Sequence, residues 1–134
     1  MAHTVFTVYQ QRDRLLLSMG YDSYAQYQRS DLWKGIRARQ LVKQPWCTGC
    51  GRKARQVHHL RYDKPTMLGR CPGSLVSVCG TCHYSSEFDA IGTKLSIDEA
   101  NKRLLAKLRR HPAAFKQNAL VAKARKNEKV KRRR

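Results

Sequence analysis

Apolar positions come in short bursts separated by polar runs, and no burst is long enough for a membrane span. Val5, Phe6, Val8 and Tyr9, then Leu15, Leu16 and Leu17, form a weakly patterned arm over residues 1–22. The arm fits either a short helix or a strand, with Gly20 as its stop. The spacing turns helical over 23–43. Tyr24 and Tyr27 fall three apart, Ser30 can cap a second helix, and Asp31 would lie in its first turn, where a negative charge suits the helix dipole. Leu32, Trp33, Ile36, Leu41 and Val42 give that helix an approximate apolar face. Lys34, Arg37, Arg39 and Lys43 give it a basic one. Pro45 ends it.

Two short strands are predicted, 56–60 and 75–78, around a loop at 61–73 that holds two prolines and two glycines. A helix should start around Gly80 to Cys82 and run to about Asp89, with Gly92 marking its end. Ser96 and Glu99 have the spacing of a capping box, and the helix behind them carries Leu104, Leu105 and Leu108 on one side. Pro112 interrupts it. A last helical stretch with Phe115, Leu120 and Val121 passes into Lys-Arg-rich sequence ending at Arg134. The pattern predicts an α+β protein with an arm (1–22), a central domain (23–92) and a C-terminal extension (93–134).

Charge sharpens this picture. The chain has 28 Lys and Arg against 9 Asp and Glu, a net charge of +19. Fourteen of the basic residues fall in 102–134 against one acid, Glu128, so that segment carries +13. Such an excess favours a polyanionic partner, and nucleic acid is the usual one. With no secretion pattern and no lipidation motif, a soluble, cytoplasmic protein is expected and no membrane partner.

The 134 residues include five cysteines, four of them in two C-x-x-C pairs, Cys47/Cys50 and Cys79/Cys82. Paired thiolates on tight turns are the ligand set of a tetrahedral structural zinc, and Gly49 and Gly51 allow the first turn. An odd count without a secretion signal argues against a disulfide framework. Cys71 is left over as a small apolar residue or bystander thiol. Between the pairs stand His58 and His59, which on a strand point to opposite faces, so they cannot easily serve one metal together and can take different tasks. His83 follows the last cysteine, and Glu87 shares its helix face four residues on. His58, His83 and Glu87 are the candidate ligands of a second, open metal site. His3 and His111 have no such context.

In combination these segments resemble the HNH endonucleases, whose ββα-metal (His-Me finger) core is a hairpin and helix often joined by a four-cysteine zinc. The resemblance rests on "VHHLRYD", on "LGRCPGSLVSVCGTCH", and on the upstream helix "YAQYQRSDLWKGIR", and covers about residues 24–88. It implies a nuclease of bacterial or phage type. His59 would be the general base, with His58 and His83 as ligands of the catalytic ion. Glu87 stands where the family often has another histidine. Ser74 falls on the middle position, Asn or Asp in most members, which holds the metal loop or aids the site. Cys71 replaces an acid often found in that loop. The implied cofactors are structural Zn2+ and catalytic Mg2+ or Mn2+, with Zn2+ or Ni2+ as alternatives. The implied reaction is hydrolysis of DNA phosphodiester bonds to 5′-phosphate and 3′-hydroxyl ends.

Arg61 and Arg70 in the loop, and Lys123, Arg125 and Lys126 in the tail, are the candidate phosphate contacts. DNA is the first expected substrate and RNA the second, alone or within a larger nucleoprotein or phage packaging complex. Two other readings stand beside the nuclease. One is a non-cleaving HNH-like module that binds DNA or RNA. The other is a structural protein whose tail threads folded RNA.

Overall fold

The computed structural model of the chain describes residues 7–110. The expectations for Val5 and Phe6, for Pro112 and the last helical stretch, and for Lys123, Arg125 and Lys126 fall outside the described residues.

Residues 7–43 form three helices: α1 (Val8–Ser18), α2 (Tyr24–Gln28) and α3 (Asp31–Lys43). The arm is therefore helical. A Thr7–Gln10 capping box starts α1, with side chain and backbone satisfying each other in both directions. Gly20, with φ of 95°, turns the chain out of it. Ser23 and Ser30 cap α2 and α3 through their hydroxyls. Along α3 the buried stripe is Trp33, Ile36 and Gln40, whereas Val42 is exposed, so the apolar face is narrower than predicted. The basic residues Lys34, Arg37, Arg39 and Lys43 are exposed, as their pattern predicts.

Strands β1 (Gln56–His59) and β2 (Leu75–Val78) pair antiparallel, with Gln56 opposite Val78 and His59 opposite Leu75. The connection is less irregular than its prolines and glycines predict. It contains a short helix, α4 (Lys64–Met67), capped by Asp63 through Thr66, and a 3-10 turn at Pro72–Ser74. Helix α5 (Gly80–Glu87) follows β2. It stops before Asp89, and Gly92 instead sits in a turn closed by Asp89 and Thr93. Helix α6 (Ile97–Arg110) then packs on α5. It buries Ile97, Ala100 and Leu104, three and four apart, and leaves Leu105 exposed.

Strand alternation gives the hairpin two faces. Val57, His59, Leu75 and Ser77 share one, where Gln40 of α3 reaches the Leu75 carbonyl and Ser77 hydroxyl. Gln56, His58, Val76 and Val78 share the other, toward the cysteines and α6. The main core joins Leu16 of α1, Tyr27, Trp33, Ile36, Val57, Tyr62, Met67, Leu75 and Ile97 of α6. The predicted arm and the first part of the predicted extension are thus built into the same core as the hairpin. Among the described residues no helix is long and apolar enough to cross a membrane.

Candidate active site and cysteine centre

The four paired cysteines converge at the far end of the hairpin. Cys47 and Cys50 lie on a knuckle closed by Cys47 N–H to the Arg52 carbonyl (2.6 Å) and Gly51 N–H to the Cys47 carbonyl (2.9 Å). Thr48 N–H to the Ser77 carbonyl (2.9 Å) ties that knuckle to β2. Cys79 caps α5, its sulfur accepting the Cys82 N–H at 3.4 Å. All four sulfurs lie within 4.8 Å of one another, and Cys50 and Cys79 stand 3.7 Å apart. A tetrahedral zinc with ligands at about 2.3 Å holds its sulfurs roughly 3.8 Å apart, so this cluster can hold such an ion. Burial raises the Cys79 thiol, but hydrogen bonds from Cys82 and the neighbouring thiols outweigh it and draw the pKa down to about 7. Burial and the neighbouring thiols push Cys50 and Cys82 the other way, so among the shifted thiols Cys79 is the one most readily ionised.

The two glycines of the knuckle serve different ends. Gly51, with φ of 80°, makes the left-handed turn. Gly49 makes room: a Cβ there would lie 3.0 Å from the Cys82 sulfur. Gly49→Ala is therefore expected to destabilise the zinc-loaded chain by about 1–3 kcal/mol in a denaturant melt, as overpacked sites do.

The second cluster forms where α5 crosses β1. The His58 and His83 rings meet edge to face at 5.4 Å. Glu87 Oε1 lies 3.0 Å from His83 Nε2 and 3.4 Å from His58 Nδ1. The three donor atoms all fall within 4.8 Å of one another. His58 Nδ1 is buried and makes no hydrogen bond, although the carboxylate is close. A buried nitrogen without a hydrogen bond, beside two other donors, fits a shared cation. Burial would raise the Glu87 pKa, but the contacts to His58 and His83 outweigh it and hold the carboxyl well below the usual range. Glu87 is thus an anionic oxygen donor flanked by two imidazoles.

His59 points the other way, as alternation requires, yet reaches the same pocket. The pocket, about 280 Å³, takes Val57 and His59 from one face of the hairpin and His83 and Glu87 from the helix on the other. Tyr24, Gln28, Tyr62 and Lys94 complete it. The His59 ring is stacked between Trp33 (centroids 4.7 Å) and Tyr62 (5.0 Å), and its Nδ1 lies 3.3 Å from the Tyr24 hydroxyl. It is only 2% exposed. Burial first, then the charges of His58 and Arg12, lower its pKa to about 3. The ring is therefore held neutral at physiological pH, and its burial disfavours the protonated form.

Ser74 does not line the pocket. It is buried at the base of the loop, where its hydroxyl accepts Arg61 Nε–H (2.7 Å) and its carbonyl accepts the Leu60 N–H (2.8 Å). These bonds hold the loop closed and give the hydroxyl no part in the pocket. Arg61 is occupied with Ser74 and Asp63 (3.5 Å), and Arg70 is exposed; neither lines the pocket. The pocket's own cation is Lys94, which sequence reasoning missed. It sits on an isolated bridge with Phe88, its ammonium 4.6 Å from the Tyr9 ring, and carries no motif. In sequence Tyr24 and Trp33 are only helix positions and Tyr62 falls in the loop; only the fold shows that they frame His59.

Comparison of the chain with protein-family models, curated proteins and solved structures finds no match.

Proposed function

We propose that this protein is a metal-dependent HNH-type endonuclease that hydrolyses phosphodiester bonds in DNA. One observation carries the reading: His59 shares a pocket with His83 and Glu87, two members of the His58-His83-Glu87 donor cluster, on the hairpin and helix whose sequence resembles that family. His58, His83 and Glu87 would hold a divalent ion, Mg2+ or Mn2+. Such an ion supplies Lewis-acid polarisation of the phosphate and stabilises the departing oxygen.

The chain's own groups supply the rest. His59 takes the proton of the attacking water. Trp33 and Tyr62 stack on the ring and fix its direction before substrate arrives. Lys94, exposed at the pocket, contacts a phosphate oxygen. The test is nicking of supercoiled plasmid with added Mg2+ or Mn2+. Cleavage that disappears on chelation and in His59→Ala supports the reading; cleavage that survives both overturns it.

Lys94→Ala should weaken substrate binding while leaving the chemistry of bound substrate nearly intact. The expected change is a higher KM, with the slope of log affinity against log salt reduced by about 1. Affinities measured across a salt series check this.

One observation favours a second reading. His59 Nε2 is enclosed and without a partner, out of reach of bulk water. A non-cleaving module that binds nucleic acid through its basic surface fits that burial. Binding without nicking under any divalent ion selects this second reading.

A further inference from the structure

The proposed metal ligands lie on β1 and α5, but one of them is held by a third element. Asn101 of α6 makes two hydrogen bonds. Its Nδ2 donates to the Leu60 carbonyl at 2.9 Å, and its Oδ1 lies 2.8 Å from His58 Nε2. A carbonyl can only accept, so the bond to Leu60 fixes which end of the carboxamide is NH2. The end facing His58 is therefore the oxygen, another pure acceptor. His58 must place a hydrogen on Nε2. In the neutral ring that leaves Nδ1 bare, and Nδ1 is the atom that faces Glu87 Oε1 at 3.4 Å without a hydrogen bond.

We infer that Asn101 is a positioning residue that sets the His58 tautomer and turns its Nδ1 lone pair toward the divalent ion. The inference rests on the metal-site reading above and adds a residue outside the segment that carries the family resemblance. His83 lacks such a fixed partner. Its Nδ1 meets Gln56 Oε1 at 2.6 Å, but no second bond to that carboxamide tells its two ends apart. The control therefore resides in Asn101. The rest of α6 serves to deliver it: Ile97, Ala100 and Leu104 are buried on the same helix face, so Asn101 is held in register by packing on both sides. Loss of such an outer partner characteristically costs about 10- to 100-fold in metal affinity.

The experiment titrates Zn2+ by calorimetry into the full chain with its four-cysteine site already filled. Wild type, Asn101→Leu and Asn101→Asp are compared. Leucine keeps the volume but removes the acceptor; aspartate keeps an acceptor for Nε2–H. The expected result is about a 10- to 100-fold weaker second ion in Asn101→Leu, with affinity largely restored in Asn101→Asp. A merely structural role would weaken both variants alike. Ring 15N spectra of the ion-loaded wild type give a readout that does not depend on the variants folding: His58 should carry its one ring hydrogen on Nε2. A hydrogen on Nδ1, or equal affinity in wild type and Asn101→Leu, overturns this inference alone. Failure of wild type to bind a second ion overturns the metal-site reading and this inference with it.

Discussion

Cys82→Ser, or removal of zinc by a strong chelator, is expected to unfold the hairpin unit outright. The apolar cluster around the cysteines is small: Cys47, Val78, Cys82 and Leu104, with Cys50, Val76 and Cys79 at its margin. More than half of its members are the proposed ligands themselves. Without an ion, four thiols are left within 4.8 Å of one another, Cys47 and Cys82 among them buried, with little apolar packing to replace the metal. A structural zinc of this kind contributes an apparent binding free energy of about 10–16 kcal/mol, as large as the whole stability of an ordinary domain at about 5–15 kcal/mol. The knuckle, β2 and the first turn of α5 all hang on those sulfurs, so the metal-free chain should lose its cooperative thermal transition and its dispersed amide spectrum. Added Zn2+ should restore both. Retention of a native spectrum in metal-free protein would show that the cluster is not the clamp.

The second large effect is on catalysis. His59→Ala is expected to lower plasmid nicking by about 100- to 10,000-fold, the range that a positioned general base contributes. The alanine also empties the slot between Trp33 and Tyr62, so a loss of activity could arise from collapse of the aromatic cage. His59→Gln keeps most of the volume and removes the ring base. It should be as inactive as the alanine while retaining the zinc content and circular dichroism of wild type. Full activity in a folded His59→Gln would remove His59 from the mechanism.

The parts of this arrangement legible in sequence are those written in local spacing. Ser30 before Asp31, the two C-x-x-C pairs, and Glu87 four residues after His83 each predict their own contact, and all three contacts are present. The alternation of His58 and His59 was also readable, because a strand has no other way to place neighbours. The opening helix was harder. Leu15, Leu16 and Leu17 are consecutive and hide the period, since Leu17 is 60% exposed while Leu16 is buried. The Thr7–Gln10 box was the available signal. Asp63 before Lys64-Pro65 was a similar signal for α4, masked by reading proline only as a breaker.

The long-range pieces were not legible at all. Asn101 meets His58 across 43 residues, and Lys94 enters the pocket from the turn between α5 and α6. Nothing local marks either residue. Ser74 shows the converse: its place in a motif suggests chemistry, but its short hydroxyl is spent on Arg61 at the base of the loop.

The central claim is that His58, His83 and Glu87 hold a divalent ion beside His59. Anomalous diffraction from crystals of the full chain grown with zinc and soaked in Mn2+ tests it most directly. The account predicts a zinc peak among the sulfurs of Cys47, Cys50, Cys79 and Cys82, and a manganese peak bounded by His58 Nδ1, His83 Nε2 and Glu87. A zinc peak alone, with those two nitrogens turned away from the carboxylate, would contradict it.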